Sequence, residues 1–278
     1  MDIIKKLEEE NFCLKFELDI LAEVLLRKQS ERWVPGYLYP QTEHSHVERY
    51  QLACSFSNGK KVLDIACGVG KGSFMLATLG NASEVIGGDI DNSAIRYANH
   101  RYNHEKVYFD IIDAEKIEYN NEFDLVVSFE TIEHLTDYNQ FLNKTYNALR
   151  KGGMFIVSTP ISFIPLNSKP QNPYHVQEWG FQAFQDIIKE KFLINEIYIQ
   201  LYPRAHQNLL IQKKSPIKYI YEKIRALSQN NNAQVQGTLN ELSVISTNSK
   251  IEKYTHQYSE SDFGISLFGY QIVVAIKG

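Results

Sequence analysis

Short apolar runs alternate with amphipathic stretches along most of this chain. From His46 onwards, a helix is followed by apolar runs that predict five strands alternating with helices. The strands are expected at 61–66, 84–88, 106–111, 123–129 and 153–159, and the helices at 71–79, 92–102 and 137–149. Two later apolar runs, Leu193–Leu201 and Tyr270–Ile276, predict two further strands. The pattern therefore predicts an α/β fold: a Rossmann-like, doubly wound sheet of seven strands that binds its ligands at the carboxyl ends of its parallel strands.

The N-terminal residues carry a different pattern and predict a helical extension over residues 1–29. Their seam positions are spaced alternately three and four residues apart: Ile4, Leu7, Asn11, Leu14, Leu18, Leu21 and Leu25. This is a heptad repeat with one polar interruption, and a single Asn at such a seam can fix the register and number of paired helices. Two interpretations follow. The helix pairs with its copy in another subunit and forms a homo-oligomer, or it is an amphipathic helix that folds onto its own domain.

Three further segments are expected along the chain. Residues 30–45 are a connecting segment, because Pro35-Gly36 and Pro40 interrupt regular structure. Its aromatic side chains (Trp33, Tyr37, Tyr39) either form a lid or substrate wall or pack on the core. Residues 46–278 form one domain with a polar insertion at about 213–265. The Asn-, Gln-, Ser- and Thr-rich part, 228–250, is expected to bury too little apolar surface to order by itself.

Composition and charge exclude several classes of protein. The 278 residues, 44% of them hydrophobic, suffice for one sizeable core. A net charge of −4 gives no general attraction for phosphates, so nucleic acid is a disfavoured partner. The three cysteines lack C-x-x-C spacing, which argues against disulfides and thiolate metal sites. No apolar run reaches the roughly 20 residues that span a bilayer, and the charged N-terminus is unlike a signal peptide. A cytoplasmic location with no membrane span is therefore expected.

A glycine-rich loop follows the first strand of the alternating region. Residues 62–73 read Val-Leu-Asp-Ile-Ala-Cys-Gly-Val-Gly-Lys-Gly-Ser, and glycine lets a ligand lie against the backbone with no Cβ in the way. Asp89 ends the next strand about 20 residues on, the spacing of a carboxylate that binds ribose hydroxyls. Ser73 stands where the dinucleotide fingerprint has its third Gly or Ala, and no P-loop is present. The loop therefore predicts a cofactor that contains adenosine.

Five motifs in a fixed order narrow the cofactor further. They are Asp64, the Gly68/Gly70 pair, Gly88-Asp89, Asp113-Ala114, and Phe123–Ser128 followed by Leu149–Gly153. In this order they resemble the class I S-adenosylmethionine-dependent methyltransferases, over roughly residues 46–212. The resemblance implies S-adenosylmethionine as the cofactor and an antiparallel hairpin of the last two strands at the sheet edge.

The resemblance also implies roles for individual residues. Asp64 would hold the cofactor ammonium group directly or through water, the backbone at Gly68 and Gly70 would face the methionyl part, and Asp89 would bind both ribose hydroxyls. Ile90 and Ala114 would flank the adenine and Asp113 would take its exocyclic amine, while Phe129 is a further candidate for binding the cofactor. From the residues alone, Asp113 equally suits a turn or helix cap. Arg49 and Tyr50 are further candidates for the cofactor carboxylate, against a solvated face and a core aromatic.

Acidic and histidine side chains follow strand 123–129. A helical turn there would put Glu130, Glu133, His134 and Asp137 on one face, and the loop that carries His175 is expected to return over the same edge. The set Glu130, Glu133, His134 and His175 resembles the ligands of metal-dependent 2′-O-methyltransferases that act on small-RNA 3′ ends, and partly the ubiquinone-pathway O-methyltransferases. Residues 31–36 and 43–50 resemble methyltransferases that modify bacterial sugars and polysaccharides.

The chemistry of this cluster has three interpretations. Glu130, Glu133, His134 and His175 hold a divalent metal, Mg or Mn, that activates a hydroxyl; or His134 or His175 is a general base without metal; or the histidines are structural. The leading prediction is an O-methyltransferase acting on a sugar hydroxyl, whether free, nucleotide-linked or in a glycan of polysaccharide biosynthesis. Methylation of the terminal ribose of RNA and a non-catalytic, cofactor-binding partner subunit are the alternatives.

Overall fold

The computed structural model describes residues 3–27, 32–36, 40–162, 169–170, 172–203, 251–254 and 267–278. Within these ranges one sheet of eight strands has the order β3-β2-β1-β4-β5-β8-β6-β7. The strands are β1 (Lys61–Ile65), β2 (Glu84–Asp89), β3 (Val107–Ile111), β4 (Phe123–Phe129), β5 (Leu149–Pro160), β6 (Leu193–Pro203), β7 (Ile251–Lys253) and β8 (Leu267–Ile276). Strands β1 to β5 are parallel, whereas β8 runs antiparallel to β5 and β6.

Helices cover both faces of the sheet. They are α1 (Ile3–Arg27), α2 (Pro40–Cys54), α3 (Lys71–Thr78), α4 (Asn92–Arg101), α5 (Tyr138–Ala148) and α6 (Phe181–Lys189). Apolar side chains of α2 and α3 pack on one face, and those of α5 and α6 pack on the other. The central parallel strands are buried on both faces, which explains their nearly continuous apolar runs. The predicted Rossmann-like α/β fold is confirmed, and β6 and β8 pair antiparallel as predicted, although β7 rather than this pair forms the edge of the sheet.

Three elements differ from the sequence prediction. An eighth strand, β7, pairs with β6 inside the predicted polar insertion. Helix α6 was not predicted, although Phe181, Phe184 and Ile188 lie on one buried face. Helix α2 begins at Pro40 rather than near His46, because proline is well suited to the first turn of a helix. Residues 228–250 and both Tyr37 and Tyr39 lie outside the described residues. Among the described helices, none is long and apolar enough to cross a membrane.

The N-terminal helix α1 packs on α4 of its own chain. The guanidinium of Arg96 donates to Glu9 at 2.9 Å and that of Arg101 donates to Glu10 at 2.8 Å. Cys13 and Ile20 are buried in the same contact. The predicted N-terminal helix is present, and it folds onto its own domain through a face distinct from the heptad seam.

Candidate active site

The carboxyl ends of β1, β2 and β4 open into a cleft of about 520 Å³. We call it the cofactor cleft; its walls include the glycine loop at Gly68, Asp89 at the end of β2, and Glu130 just after β4. Ala66 and Glu130, which follow β1 and β4, have φ angles of 60° and 52°. A positive φ is unfavourable for residues other than glycine, and residues in this conformation cluster at functional sites. The sharp turns after both strands aim their loops into the cleft.

Asp89 is held at the cleft by backbone donors. Its Oδ2 accepts the Gly68 N–H at 2.8 Å and its Oδ1 accepts the Asp91 N–H at 2.9 Å. Each carboxylate oxygen accepts two hydrogen bonds, so both can still receive a hydroxyl. The space beside the Gly68 Cα is open, which leaves room for a ligand against the backbone. This arrangement suits the predicted contact with ribose hydroxyls.

The adenine candidates line the same cleft. Ile90, Asp113 and Ala114 are all in its walls, as is the further cofactor candidate Phe129, and the Ile90 side chain is 69% exposed. Asp113 Oδ1 accepts the Glu115 N–H at 2.9 Å and so caps a short 3₁₀ turn. Both interpretations of Asp113 are therefore compatible with its position, since a capping carboxylate also faces the cleft. Contacts of these residues with adenine stay predictions.

Asp64 and Gly70 lie behind the cleft wall instead of in it. Asp64 is fully buried and accepts hydrogen bonds from Tyr50 Oη at 3.0 Å and Ser73 Oγ at 2.6 Å. Burial raises the pKa of its carboxyl to about 7. Gly70 has φ +86° and packs so tightly on Phe109 that a Cβ would overlap the ring. Both residues therefore support the glycine loop from beneath, and a contact of Asp64 with the cofactor stays a prediction.

The segment 32–36 and helix α2 form the opposite wall. Trp33 lines the cleft and stacks on the His46 ring, with centroids 5.2 Å apart and planes 11° apart. Tyr50 also lines the cleft, and Arg32 at its rim forms an ion pair with Asp91 at 2.6 Å. Trp33 therefore lies in the cleft wall and also packs against the core, and a contact with substrate stays a prediction.

Arg49 lies neither in the cleft, as a ligand of the cofactor carboxylate would, nor on a solvated face. Its Nη1 donates to Gln200 Oε1 at 2.8 Å and its Nη2 lies 3.1 Å from His46 Nδ1. The side chain is 1% exposed and is not among the residues that line the cleft. Arg49 thus ties α2 to β6, while its charge opposes the rise in the pKa of Glu130 that burial causes.

At the far end of the cleft, ligand atoms of Glu133, His134 and His175 all lie within 4.8 Å of one another. We call these three residues the Glu-His cluster. After Glu130 the chain makes a 3₁₀ turn, Ile132–His134, which carries the first two members. The loop with His175 returns over this turn, because the Val176 N–H donates to the Glu133 carbonyl at 2.8 Å. The predicted convergence of both segments at one sheet edge is what the structure contains.

Hydrogen bonds fix the tautomers of both histidines. His134 Nδ1 lies 3.0 Å from the Tyr174 carbonyl oxygen and His175 Nδ1 lies 2.7 Å from Glu178 Oε1. Since these oxygens only accept, each neutral ring carries its proton on Nδ1 and its lone pair on Nε2. Asn172 Nδ2, 2.9 Å from His175 Nε2, donates to that lone pair, so a metal ion bound by His175 Nε2 would have to displace this hydrogen bond. A carboxylate or carbonyl on the far nitrogen is the usual arrangement behind histidines that ligate metals.

Glu133 is a fully buried acid with one unsatisfied oxygen. Its Oε2 accepts Thr159 Oγ1 at 3.3 Å, whereas its Oε1 has no partner in the described part of the chain. Burial, and then the nearby Glu130, raise the pKa of Glu133 well above its ordinary value. A cation there would supply the missing partner and offset the cost of a buried charge. The donor set of one carboxylate and two imidazoles therefore fits a divalent ion.

The two remaining candidates for the cluster lie apart from it. Glu130 lines the cleft and its Oε1 accepts Ser158 Oγ at 2.7 Å. It is not a member of the group within 4.8 Å. Asp137 accepts the Gln140 N–H at 2.9 Å and caps α5. The predicted continuous helical turn ends at His134, so Asp137 is not part of it.

A family model described as a methyltransferase domain matches residues 56–223. The chain belongs to the methyltransferase domain family. It carries a class I S-adenosylmethionine-dependent methyltransferase domain, as the order of its motifs predicts. The open carboxylate of Asp89 and the space at Gly68 are features that this cofactor fits.

Relatives of this methyltransferase domain occur in mycobacteria. A protein of Mycolicibacterium smegmatis, named a probable S-adenosylmethionine-dependent methyltransferase, is 36% identical over 164 residues, 57% of this chain and 62% of the relative. A Mycobacterium tuberculosis protein of the same description, Rv3030, is 34% identical over 135 residues, 48% of each chain. This chain therefore spans less than two thirds of the length of these curated relatives.

A solved structure extends the fold comparison. The [4+2]-cyclase SpnF matches with a TM-score of 0.56 and 16% identity over 94% of each chain. The likeness shows the fold alone, and the name of that protein is that of a cyclase. Fold does not assign a reaction by itself, so the residues of the site must carry the argument about chemistry.

Several residues that build the site were not predicted as site residues. Glu178 orients His175, Thr159 donates to Glu133, and Ser158 donates to Glu130. The sequence does offer a signal for the contact between Glu178 and His175, because the acid follows the histidine by three positions. Thr159 and Ser158 end an apolar run and carry no sequence signal for these contacts, because they depend on the pairing of β4 with β5.

Proposed function

We propose that this methyltransferase domain transfers the methyl group of S-adenosylmethionine to a hydroxyl oxygen of a sugar, with a divalent cation bound by Glu133, His134 and His175. The observation that carries the proposal is the Glu-His cluster, whose ligand atoms lie within 4.8 Å of one another beside the cofactor cleft. Glu130 and His134 are in the wall of the cleft and connect the cluster to it.

An oxygen acceptor needs both activation and orientation. A sugar hydroxyl holds its proton far too tightly to be a good nucleophile at neutral pH. A divalent cation lowers the pKa of a hydroxyl that it contacts, and two adjacent sugar hydroxyls can bind one cation together. Glu133 supplies negative charge for that cation, while Glu178 and the Tyr174 carbonyl keep the two imidazoles oriented. Fixed groups of this kind position an acceptor oxygen without a further ordering cost.

Glu130 is proposed to accept the proton. As the acceptor oxygen forms a bond to the methyl carbon and the carbon–sulfur bond breaks, the hydroxyl must lose its proton. Burial raises the pKa of Glu130, which makes its carboxylate a stronger base than an exposed one. Its place in the cleft wall, outside the Glu-His cluster, leaves it available for this step.

The names of other relatives divide between acceptor classes. They include a ubiquinone biosynthesis O-methyltransferase, a fatty-acid O-methyltransferase and a phosphoethanolamine N-methyltransferase. A cation held by Glu133 would serve an acceptor with adjacent hydroxyls, since two such hydroxyls can contact one cation. The segments that resemble sugar-modifying methyltransferases favour a sugar among such acceptors.

Methyl transfer to a panel of acceptors tests the proposal. The full chain is incubated with S-adenosylmethionine and Mn²⁺ or Mg²⁺, and the methylated product is identified by mass. We expect methylation of a sugar, free, nucleotide-linked or in an oligosaccharide, and loss of turnover on exhaustive chelation. A catechol and an RNA with a free 3′ ribose are the comparison acceptors. Methylation of either one, with every sugar inert, would overturn the sugar assignment.

Two substitutions separate the proposed roles of the acids. Glu133→Gln should lose Mn²⁺ affinity in calorimetric titration, whereas Glu130→Gln should bind Mn²⁺ and still lose turnover. His175→Ala should behave like Glu133→Gln, and His104→Ala, at a histidine that does not line the cleft, is the matched control. All variants should retain cofactor affinity. Unchanged Mn²⁺ affinity in both Glu133→Gln and His175→Ala would remove the cation from the proposal.

A further inference from the structure

Helix α1 has two apolar faces that point in different directions. Written as a heptad with Ile4 at position a, the seam residues occupy positions a and d, as the spacing predicts. The residues that contact α4 and its surroundings occupy positions b, c, f and g: Glu9, Glu10, Phe12, Cys13, Phe16, Glu17 and Ile20. Position f lies opposite the seam on a helical wheel, so the domain packs on the back of the helix.

The seam of α1 is strongly exposed. Leu7 is 59%, Leu14 43% and Leu18 62% exposed, and Ile3 and Ile4 extend the same surface. These five residues are a large share of the exposed large apolar side chains in the described chain. Contiguous exposed apolar surface on a soluble domain marks an interaction site more often than scattered single residues do. We call this surface, Leu7, Leu14 and Leu18 with their seam neighbours, the heptad stripe.

We propose that the heptad stripe pairs with the heptad stripe of a second copy of this chain, in a parallel, in-register coiled coil. The stripe is self-complementary in its apolar positions, because residues at a and d of two copies meet as knobs and holes. The domains do not obstruct this pairing, since each one lies on the opposite side of its own helix.

One polar residue of α1 favours the same partner and orientation. In a parallel pair Asn11 faces Asn11 of the other copy, and an amide has both donors and an acceptor for its twin. An antiparallel pair would place Asn11 against a leucine and leave it unsatisfied. Asn11 therefore opposes the antiparallel arrangement and favours the parallel one.

The helix is also organised in advance for pairing. Most of the stability of a helix in a protein comes from tertiary packing, so pairing free helices normally includes the cost of forming them. Here the ion pairs to Arg96 and Arg101 already hold α1 on α4 in the single chain. Pairing therefore orders mainly the seam side chains, so a short coiled coil can suffice for association.

The mass of the full chain in solution tests the proposal. Sedimentation equilibrium should give twice the 32.1 kDa mass of the chain, with dissociation on dilution. The double substitution Leu7→Glu and Leu14→Glu should return the mass to that of one chain. Leu193→Glu, the same change at a leucine 66% exposed on β6, is the matched control and should remain dimeric. A wild-type chain that stays monomeric at all accessible concentrations, or a double variant that stays dimeric, overturns the proposal.

Disulfide trapping tests orientation and register. In a parallel, in-register pair, Leu14→Cys places two thiols at one d layer, where mild oxidation should join the chains. Asp19→Cys, on an exposed position b of the same helix, should not be joined. The native Cys13 is fully buried and does not compete. Equal trapping of both variants, or trapping of Asp19→Cys alone, would contradict the parallel arrangement, and circular dichroism confirms that each variant is folded.

Discussion

Buried carboxylates determine how the unliganded domain responds to pH. Asp64 lies beneath the glycine loop, and Glu130 and Glu133 follow β4; burial raises the pKa of all three. An acid whose pKa is raised by folding opposes the folded state wherever it must ionise. Such a cost is tolerated where the same groups meet positive charge in the functional state, which the sulfonium cofactor and the proposed metal ion would supply.

Asp64 gives a pH dependence whose sign can be worked out. Its pKa is about 7 in the folded chain and about 3.9 in an unfolded one. Between these values the folded chain holds a proton that the unfolded chain releases, so stability is fully present at low pH and falls as pH rises. For a single group, the free energy of unfolding falls by at most about 1.4 kcal/mol per pH unit. Urea unfolding of wild type and Asp64→Asn from pH 4 to 8 measures it.

The Asn variant should lose this part of the slope. Asp124→Asn is the control of opposite sign: burial raises the pKa of Asp124, but hydrogen bonds from the Lys61 N–H and Arg150 outweigh it and lower the pKa overall. Removing that carboxylate should therefore lower stability at neutral pH rather than at acid pH. Identical slopes in wild type and Asp64→Asn would mean that Asp64 stays ionised in the folded chain.

Glu178 is expected to act through His175. Its Oε1 accepts a hydrogen bond from His175 Nδ1 at 2.7 Å, and its Oε2 accepts one from Ser162 Oγ at 3.1 Å. Glu178→Gln weakens the acceptor and permits the imidazole to turn or change tautomer. Partners of this kind typically contribute about 10–100-fold to metal affinity. We expect a fall of that size in Mn²⁺ affinity by calorimetry, with cofactor affinity unchanged.

The control for Glu178→Gln is Glu190→Gln, the same change at an exposed acid just after α6. It should leave both affinities unaltered. If Glu178→Gln binds Mn²⁺ as wild type does but unfolds more readily, Glu178 merely holds the loop together and does not orient His175.

The candidate residues could be identified from their types and spacing, but where each one lies in the site could be known only from the fold. Glu133, His134 and His175 were predicted to converge, and their ligand atoms lie within 4.8 Å. Glu130 was expected to join them, yet its left-handed backbone, with φ 52°, directs it to Ser158 instead. Asp64 has the expected spacing from the loop, but its strand position turns its side chain towards Tyr50. The side of the sheet to which a strand residue points and the strain in its backbone depend on how the strands pair, and residue spacing does not encode that pairing.

At the scale of elements, the contact of α2 with α3 connects the cleft wall to the glycine loop. Gly72 in α3 lies against the Tyr50 ring so closely that a Cβ would overlap it. Tyr50 in turn donates to Asp64 at 3.0 Å and meets the Phe129 ring edge-on at 5.0 Å. The absence of a side chain at Gly72 therefore leaves room for the Tyr50 ring, which both lines the cleft and donates to Asp64 beneath the glycine loop.

Gly72→Ala should disturb both sides of this contact. Displacing Tyr50 costs packing and a buried hydrogen bond, so we expect a loss of about 1–3 kcal/mol of unfolding free energy. Cofactor affinity should fall as well, because Tyr50 lines the cleft. Denaturant unfolding and titration with S-adenosylhomocysteine measure the two effects.

Gly180→Ala provides the comparison, since a Cβ there would meet only a carbonyl oxygen at the ordinary distance of 3.6 Å. It should be close to neutral in both measurements. A Gly72→Ala variant with normal stability and affinity would show that Tyr50 has room to move.

Elements with strong apolar periodicity were predictable, and those formed by pairing were not. Strands β1 to β4 coincide with the predicted runs to within a residue or so. For β1, β2 and β4 the reason is burial, because buried parallel strands must be apolar, whereas β3 at the sheet edge is largely exposed. The three residues of β7 show no such pattern, and their pairing with the edge of β6 alone makes them a strand. Helix α6 could have been predicted, since Phe181, Phe184 and Ile188 mark its buried face.

For the whole molecule, the two proposed ligands should stabilise the fold through separate sites. A ligand that binds only the folded chain adds about 2.7 kcal/mol when present at about a hundred times its Kd. For a domain near this size, each kcal/mol raises Tm by about 2–4 °C. S-adenosylhomocysteine and Mn²⁺ should therefore each raise Tm by several degrees in a thermal melt. NAD⁺ should leave Tm unchanged, because the glycine loop lacks the third fingerprint glycine.

Substitutions should separate the two increments, since the residues that carry them are different. Asp89→Asn should reduce the increment from S-adenosylhomocysteine and keep that from Mn²⁺, because Asp89 lies at the end of β2 and outside the Glu-His cluster. Glu133→Gln should do the reverse, since it removes the only carboxylate of that cluster. If either variant loses both increments, the two ligands depend on one shared structure, and the separate assignment of cofactor cleft and cation site fails.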